Sequence, residues 1–542
     1  STLLMPSAYQ TFPIEFRGGL ISNKSKLQQG IQDIGSASIL ENFEANKEGG
    51  YSKLRGFAKF GSTTVPGEGP IVALKVISAG RVIVGRKVDS QAVTDVSGLV
   101  TADIGKTAYY YGTGGASWTY MNKSASSNGG KARTAEFNLG GDDKVIFVDG
   151  TNYPAIYNTS GNTVTFLTSS DSSDVSAAEN VAFFKNTAFY SKGNTVYFTA
   201  PFSVDDFSVA NGAGSINVGS DITGLTVFRD QLIIFTLESI KRLTGNTQAD
   251  FQVSPITERI GCINGDTIQE VGGDIMYLAP DGLRLLSATD RIGDFGLGIP
   301  SDKITRDAST FLDSTSDFSS LILREKAQYR IFAYVSSEQK ESAKGLIATK
   351  FQAQGADGFG WSTTRGIKAY VADSVYNGTT ETAMFAHTDG YVYKLETGKF
   401  FDGENIKAIY ESPAMPISDP QVRKSFYKMT LFLDPTGGID LGVNLKFDFD
   451  GGVNSNGVNP GVIQPDQVRL QAAPGAASAV FYFGTSNAIF GTATFGGDLD
   501  KIYEKFVVGS GKNVSLRIED ESDNPTFTLD TAILEYIQHD RQ

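Results

Sequence analysis

Apolar segments of four to eight residues recur along most of this chain, each closed by a turn of glycine, aspartate, asparagine or serine. "VIFVDGTNYPAIY" (145–157), "LTVFRDQLIIFTLESIKRL" (225–243), "IMYLAPDGLRLLS" (275–287) and "HTDGYVYKLE" (387–396) share this form. Their Val, Ile, Phe and Tyr content and their tight turns predict antiparallel hairpins rather than helices. Turn centres fall at Gly80, Gly150, Asn186, Asp230, Gly282, Lys326 and Gly390. Most successive centres lie near the ~40–50 residues of one four-stranded propeller blade, and the longer gaps leave room for insertions. The pattern therefore predicts an all-β chain with a β-propeller of six or seven blades over residues 62–405. In such a radial array each small sheet is covered by its neighbours, and only short edges stay open. A pair of ordinary β-sandwiches is the competing architecture, because the spacing is uneven.

The rhythm differs at both ends. Residues 1–61 alternate polar turns with short apolar pieces such as "SILENF" and predict an extended N-terminal arm with a few strands. From 406 to 542 a Pro-rich connection leads into longer strands of alternating polarity, which predict a C-terminal β-sandwich domain. Two Gly/Ser/Asn-rich stretches, 109–136 and 455–478, are expected to be exposed loops that make subunit or fibre contacts.

Composition narrows the function. The 542 residues suffice for several domains. Cys262 is the only cysteine, which excludes a disulfide within the chain and a zinc site of paired cysteines, and it is expected to be a small buried residue. A net charge of −13 argues against a surface that grips nucleic acid, although an acidic wall suits a conduit to which DNA must not adhere. No basic region precedes an apolar stretch at the start and no run approaches ~18 apolar residues, so neither export nor a membrane span is expected. The leading serine is compatible with a removed initiator methionine.

Candidate chemistry is sparse. His387 is expected at the strand end of a hairpin and His539 in a charged tail, and neither has a histidine companion for acid–base or metal chemistry. No G-x-S-x-G elbow occurs. "IGKT" (104–107) ends like a phosphate loop, but Val100 stands where the first glycine belongs and Gly98 is two residues too early. "DFDGGVNSNGVN" (448–459) offers Asp448 and Asp450 but has Asn459 where a helical calcium loop carries glutamate. Asp281, Asp290, Asp294 and Asp389 are the carboxylates to test for a glycosidase pair, and turn chemistry accounts for each. The S-x-D-x-G-x-T-W box of sialidase propellers is absent; "GADGFGWST" (355–363) is its nearest imitation. No catalytic, cofactor-binding or metal residue is assigned, and a non-enzymatic protein without cofactor is expected.

Two stretches resemble a known family. "RGGLISNKSKLQQGIQDIGSASILENFEANKEGGYSKLRGFAKFG" (17–61) resembles the opening of the tail nozzle, or DNA stabilisation, proteins of short-tailed bacteriophages, with Gly50, Lys53, Arg55, Gly56 and Phe57 matching a "GxxKRxGF"-type turn. The stretch 222–296 is similar to central propeller hairpins of related virion proteins. The resemblance implies a structural virion subunit of the tail, made in the host cytoplasm and assembled as a homo-hexamer. In that assembly DNA transits a channel without specific binding, a tail adaptor protein sits above, and tail fibre or needle proteins attach at the side or tip. The rival readings are a receptor- or fibre-binding adaptor or baseplate component of a longer-tailed phage, and a glycan-cleaving propeller enzyme.

Overall fold

The computed structural model describes residues 9–89, 104–115, 117–292, 299–351, 358–448, 468–472 and 501–539. Seven antiparallel sheets radiate from one axis. Blade one comprises Ile71–Ser78, Arg81–Val88, Lys106–Gly112 and Trp118–Ser124. Blade two comprises Arg133–Leu139, Asp142–Val148, Ala155–Asn158 and Thr163–Phe166, and blade three Asn180–Phe184, Thr187–Lys192, Thr195–Phe198 and Gly214–Asn217. Blade four comprises Ile222–Phe228, Gln231–Thr236, Ile240–Thr244 and Gln252–Thr257. Blade five has three strands, Gln269–Val271, Asp274–Ala279 and Gly282–Leu285. Blade six contributes Phe318–Leu323, Gln328–Ala333, Lys344–Lys350 and Phe359–Arg365, and blade seven Val371–Tyr376, Glu381–Ala386 and Val392–Leu395.

The chain is thus an all-β propeller, and its blade count is seven. Each predicted turn centre falls in a different blade. Gly80, Asn186, Asp230 and Lys326 join first strands to second, whereas Gly150 and Gly390 lie between second and third and Gly282 opens the third strand of blade five. Mixing the two kinds of turn produces the uneven spacing seen in the sequence. At Lys185–Asn186 and Arg229–Asp230 both residues have positive φ (49° and 59°, 46° and 62°), as a two-residue type I′ hairpin requires.

The N-terminal arm is extended and has no core of its own; its strands complete other sheets. Phe57–Lys59 pairs antiparallel with Val392–Leu395 and supplies the fourth strand of blade seven. Gln10–Glu15, Phe43–Ala45 and Tyr51–Lys53 join Lys424–Pro435, Ile502–Gly511 and Phe527–Gln538 in one sheet of the sandwich. Ile39–Glu41 lies between Ala408–Glu411 of the facing sheet and the outer strand of blade six, where Glu41 pairs with Thr363. Blade six and that sandwich sheet, which also holds Ile439–Phe447, Val468–Ala472 and Val514–Asp520, are therefore one continuous nine-stranded sheet. Arm residues Phe16, Leu40, Phe43 and Tyr51 pack in the same core as Trp361, Leu431 and Leu529.

Besides the arm helix Lys26–Gln32 and a few single 3-10 turns, helix gathers where blade five lacks its fourth strand. Leu286–Ile292, Pro300–Ile304 and Thr305–Leu312 follow its third strand, and the Leu283 N–H donates to Ser301 Oγ at 3.1 Å. Ile304, Ala308 and Phe311 carry this edge into the core shared with the sandwich.

The stretch 109–136 departs from expectation. Lys106–Gly112 and Trp118–Ser124 are the outer strands of blade one, and Tyr109 and Tyr110 are fully buried. Its tyrosines are core-forming strand residues, and only the turns between strands carry the Gly/Ser character that suggested a loop. Most of 455–478 lies outside the described residues; Val468–Ala472 is a strand paired with Ile439–Phe447.

Candidate functional site

The first strand of every blade faces the axis, and together they enclose a cavity of about 250 Å³. Charged side chains cross it. Lys131, just before blade two, donates from Nζ to the Phe318 carbonyl of blade six at 2.9 Å, lies 3.5 Å from Asp317 Oδ1, and sits 4.5 Å over the ring of Tyr370. Two positions on, Arg133 points to the same side, as alternate strand residues do. Its Nε donates to Asp266 Oδ1 at 2.8 Å, and its Nη1 donates to the Thr223 carbonyl at 3.0 Å and to Asn180 Oδ1. Blades two and six, and blades two and five, stand nearly opposite one another on the ring, so these bonds span the axis.

A second group closes the seam between the first and last blades. Lys75 reaches Glu136 at 2.7 Å and Asp373 at 3.2 Å, and the Val76 N–H donates to Asp373 at 2.8 Å. Burial pushes the Asp373 carboxyl up, and Lys75 only partly opposes it. Burial acts on Asp266 in the same sense, but Arg133 and Lys131 outweigh it and hold that carboxyl below its usual range. Burial lowers Lys131 against the pull of Asp266 and Asp317. These cations and carboxylates satisfy one another. The arrangement acts as a bolt across the propeller axis, not as an acid–base pair or a nucleophile with its base.

No family model matches this chain, and no curated protein matches it. The chain is distantly similar to several solved structures. The chain aligns with PorZ, described as an essential surface component of the type-IX secretion system of Porphyromonas gingivalis, at 10% identity and a TM-score of 0.34, covering 65% of this chain and 42% of that one. It also aligns with the Pan2 WD40 domain of Neurospora crassa at 8% identity, a TM-score of 0.36 and coverage of 63% and 96%. The AfRom2 CNH domain gives 8% identity, a TM-score of 0.36 and coverage of 62% and 98%. The chain spans less than half the length of PorZ.

The residues singled out in the sequence stand apart from the axial bolt. His387 is 9% exposed in the turn before the third strand of blade seven, with its ring stacked on Tyr393 and its Nε2 3.1 Å from Asp389 Oδ2. Asp389 also accepts from Tyr393 Oη at 2.5 Å and from the Tyr391 N–H at 3.0 Å. Burial would raise its carboxyl, but the contacts with His387 and Tyr393 prevail and lower it. His539 lies at the far end of the sandwich, 2.7 Å from Ser425 Oγ. Cys262 is fully buried, and burial raises its thiol to about 11.

"IGKT" is a turn at Gly105 that enters a strand, with no helix behind it. Asp281 pairs with Arg284, and Asp448 accepts from the Lys512 N–H at 2.8 Å and from Arg423 at 3.3 Å. Asp294, Asp450 and Asn459 lie outside the described residues, and Asp290 falls in the helix after blade five. Sequence reasoning passed over the axial bolt altogether. Its signal is a charge at the entry to a first strand, as in "GGKARTAEF", "INGDTIQ" and "STSDFSS", and it becomes meaningful only once those strands converge.

Proposed function

We propose that this chain is a structural subunit of a bacteriophage tail, one of several copies forming a nozzle through which DNA leaves the virion. The observation that carries the reading is the opening segment 17–61, with Gly50, Lys53, Arg55, Gly56 and Phe57 in the family's order. Two features support it. The arm stitches the propeller to the sandwich through Ile39–Glu41 and completes blade seven, which suits a part that must stay rigid under load. The axial charges are spent on one another rather than presented to a substrate. In this reading the conduit lies between copies arranged as a homo-hexamer, since the propeller's own axis is barred. An excess of acidic residues keeps the passing polymer off the wall. An adaptor ring would sit above and fibre or needle proteins at the side or tip.

Imaging of purified particles tests this. A ring of copies around the exiting DNA at the distal tail supports the nozzle. A single copy or trimer at a fibre root points instead to an attachment propeller, and hydrolysis of polysaccharide by the purified chain points to an enzyme; either outcome removes the nozzle reading.

A further inference from the structure

Asn-Gly pairs begin at Asn128, Asn211, Asn264, Asn377 and Asn456, and the last lies outside the described residues. An asparagine before glycine is prone to cyclise on its own backbone, because glycine has no Cβ to shield the amide nitrogen that attacks. The fold treats the described pairs differently, and three are held. Asn128 Nδ2 donates to Asp89 Oδ1 at 3.0 Å, and the N–H of buried Gly129 donates to Thr107 Oγ1 at 3.1 Å. Asn211 Nδ2 donates to Asp206 Oδ2 at 2.7 Å, and the Gly212 N–H to the Val209 carbonyl at 3.1 Å. Asn264 caps the 3-10 turn Gly265–Thr267: its Oδ1 accepts from the Asp266 N–H at 2.9 Å, and its Nδ2 donates to the Ser316 carbonyl at 3.0 Å. Gly265 is also crowded, since a Cβ there would stand 1.9 Å from the Thr223 carbonyl oxygen.

Asn377 and Gly378 carry none of these restraints. They tip the hairpin between the first two strands of blade seven, Val371–Tyr376 and Glu381–Ala386, and both are exposed. Among the described residues neither the Asn377 side-chain amide nor the Gly378 N–H has a hydrogen-bond partner. The loop is fixed by its other groups: the Asn377 N–H donates to the Thr380 carbonyl at 3.1 Å, and Tyr376 Oη to the Gly378 carbonyl at 3.0 Å. Gly378 has φ +80°, and a Cβ built there would meet nothing within 4 Å, so open space surrounds it. Exposure alone does not single out this pair, because Asn211 is exposed too.

We propose that Asn377 is a site of spontaneous deamidation, left reactive by the fold where Asn128, Asn211 and Asn264 are protected. The Gly378 nitrogen attacks Cγ of Asn377. A C–N bond forms, the side-chain amide leaves as ammonia with the proton of the Gly378 N–H, and a succinimide ring results. Water then adds to one of the two ring carbonyls and breaks its bond to nitrogen. Opening at the side-chain carbonyl gives aspartate, and opening at the main-chain carbonyl gives isoaspartate, whose backbone is one carbon longer. Either product puts a new carboxylate on the hairpin whose Glu381 accepts from the Arg324 and Glu325 N–H groups of blade six, at 2.5 and 3.1 Å. The site is a slow change of charge at the seam between blades six and seven.

The test is to incubate the full chain in mildly alkaline buffer, digest samples in acid and follow each Asn-Gly peptide by mass spectrometry, with isoaspartate scored by enzymatic methylation. A held pair must first break a hydrogen bond or two, which lowers its reactive population, so Asn377 is expected to convert about tenfold faster than Asn128, Asn211 or Asn264. In urea the four rates should converge, because the contacts that distinguish them are gone. Asn377→Gln should remove the fast product with an unchanged Tm, since glutamine would have to close a larger ring. Conversion of Asn377 no faster than that of the held pairs in the folded chain overturns the proposal. So does a lead for Asn377 that persists undiminished in urea, which would make its sequence neighbours and not the fold responsible.

Discussion

Lys53 Nζ and Asp520 Oδ2 lie 2.5 Å apart with each side chain 1% exposed, so an arm residue is bonded to the C-terminal sandwich by a fully buried ion pair. The backbone segments involved, Tyr51–Lys53 and Val514–Asp520, belong to different sheets of the sandwich. Removing one member leaves the other charged and unpaired, which costs about 3–5 kcal/mol. Lys53→Met is therefore expected to lower the urea midpoint sharply, and Lys53→Met with Asp520→Leu to recover most of the loss. A double variant as unstable as the single one would show that packing, not charge, dominates there.

The closing strand of blade seven is expected to be as important as any strand within 62–405. Phe57 is 5% exposed and packs 4.9 Å from Phe401, 5.0 Å from Phe385 and 5.3 Å from Tyr393, centroid to centroid. Phe57→Ala should cost about 3–5 kcal/mol in chemical denaturation. It should also open blade seven to protease ahead of global unfolding. Equal proteolysis rates in the two proteins would argue that the ring stays shut without this side chain.

Gly390 and His387 separate architecture from chemistry within one turn. Gly390 has φ +83°, and a Cβ there would stand 2.0 Å from Arg86 Nη1, whose guanidinium donates through Nε to the Gly69 carbonyl at 2.8 Å and through Nη1 to the Val65 carbonyl. Gly390→Val should strain the backbone and displace Arg86, with a loss of about 2 kcal/mol or more. His387→Gln should leave the Tm nearly unchanged and, on the proposed nozzle reading, infectivity nearly intact. Normally assembled particles that lose infectivity on the histidine change would give His387 a role beyond the turn.

Acid should weaken the sandwich through Glu411. Burial would raise this carboxyl, but Lys26 at 2.8 Å, Arg517 at 2.8 Å and Lys446 at 3.0 Å outweigh burial and hold it at about 2. A carboxyl depressed by folding contributes stability that is complete above its unfolded value of about 4.3 and is lost as pH falls through its folded value. The Tm is thus expected to fall between pH 4.5 and 2, and Glu411→Gln should be less stable at pH 7 with a shallower decline over that window. Parallel wild-type and variant Tm curves across those pH values would refute the assignment.

Local pattern reaches a long way in this protein because hairpins are local objects. Apolar alternation and turn residues at Gly80, Asn186, Asp230 and Gly390 mark strand pairs that are neighbours in sequence, and each falls in its own blade. Cys262 likewise sits in apolar packing, as its residue type suggests. The tyrosines of 109–111 mislead because glycine and serine in the turns around them dilute the strand signal. The axial bolt is invisible in sequence for a different reason. Lys131 and Phe318, or Arg133 and Asp266, are more than a hundred residues apart and meet only where first strands converge.

Sequence by itself determined the class of element and the β-propeller, since side-chain alternation and turn chemistry act over a few residues. Tertiary structure alone decided the closure of the ring by Phe57–Lys59, the fusion of blade six with the sandwich through Ile39–Glu41, and the pairing of charges across the axis. Those contacts join residues hundreds of positions apart, and their free energy comes from burial and pairing that no local window contains.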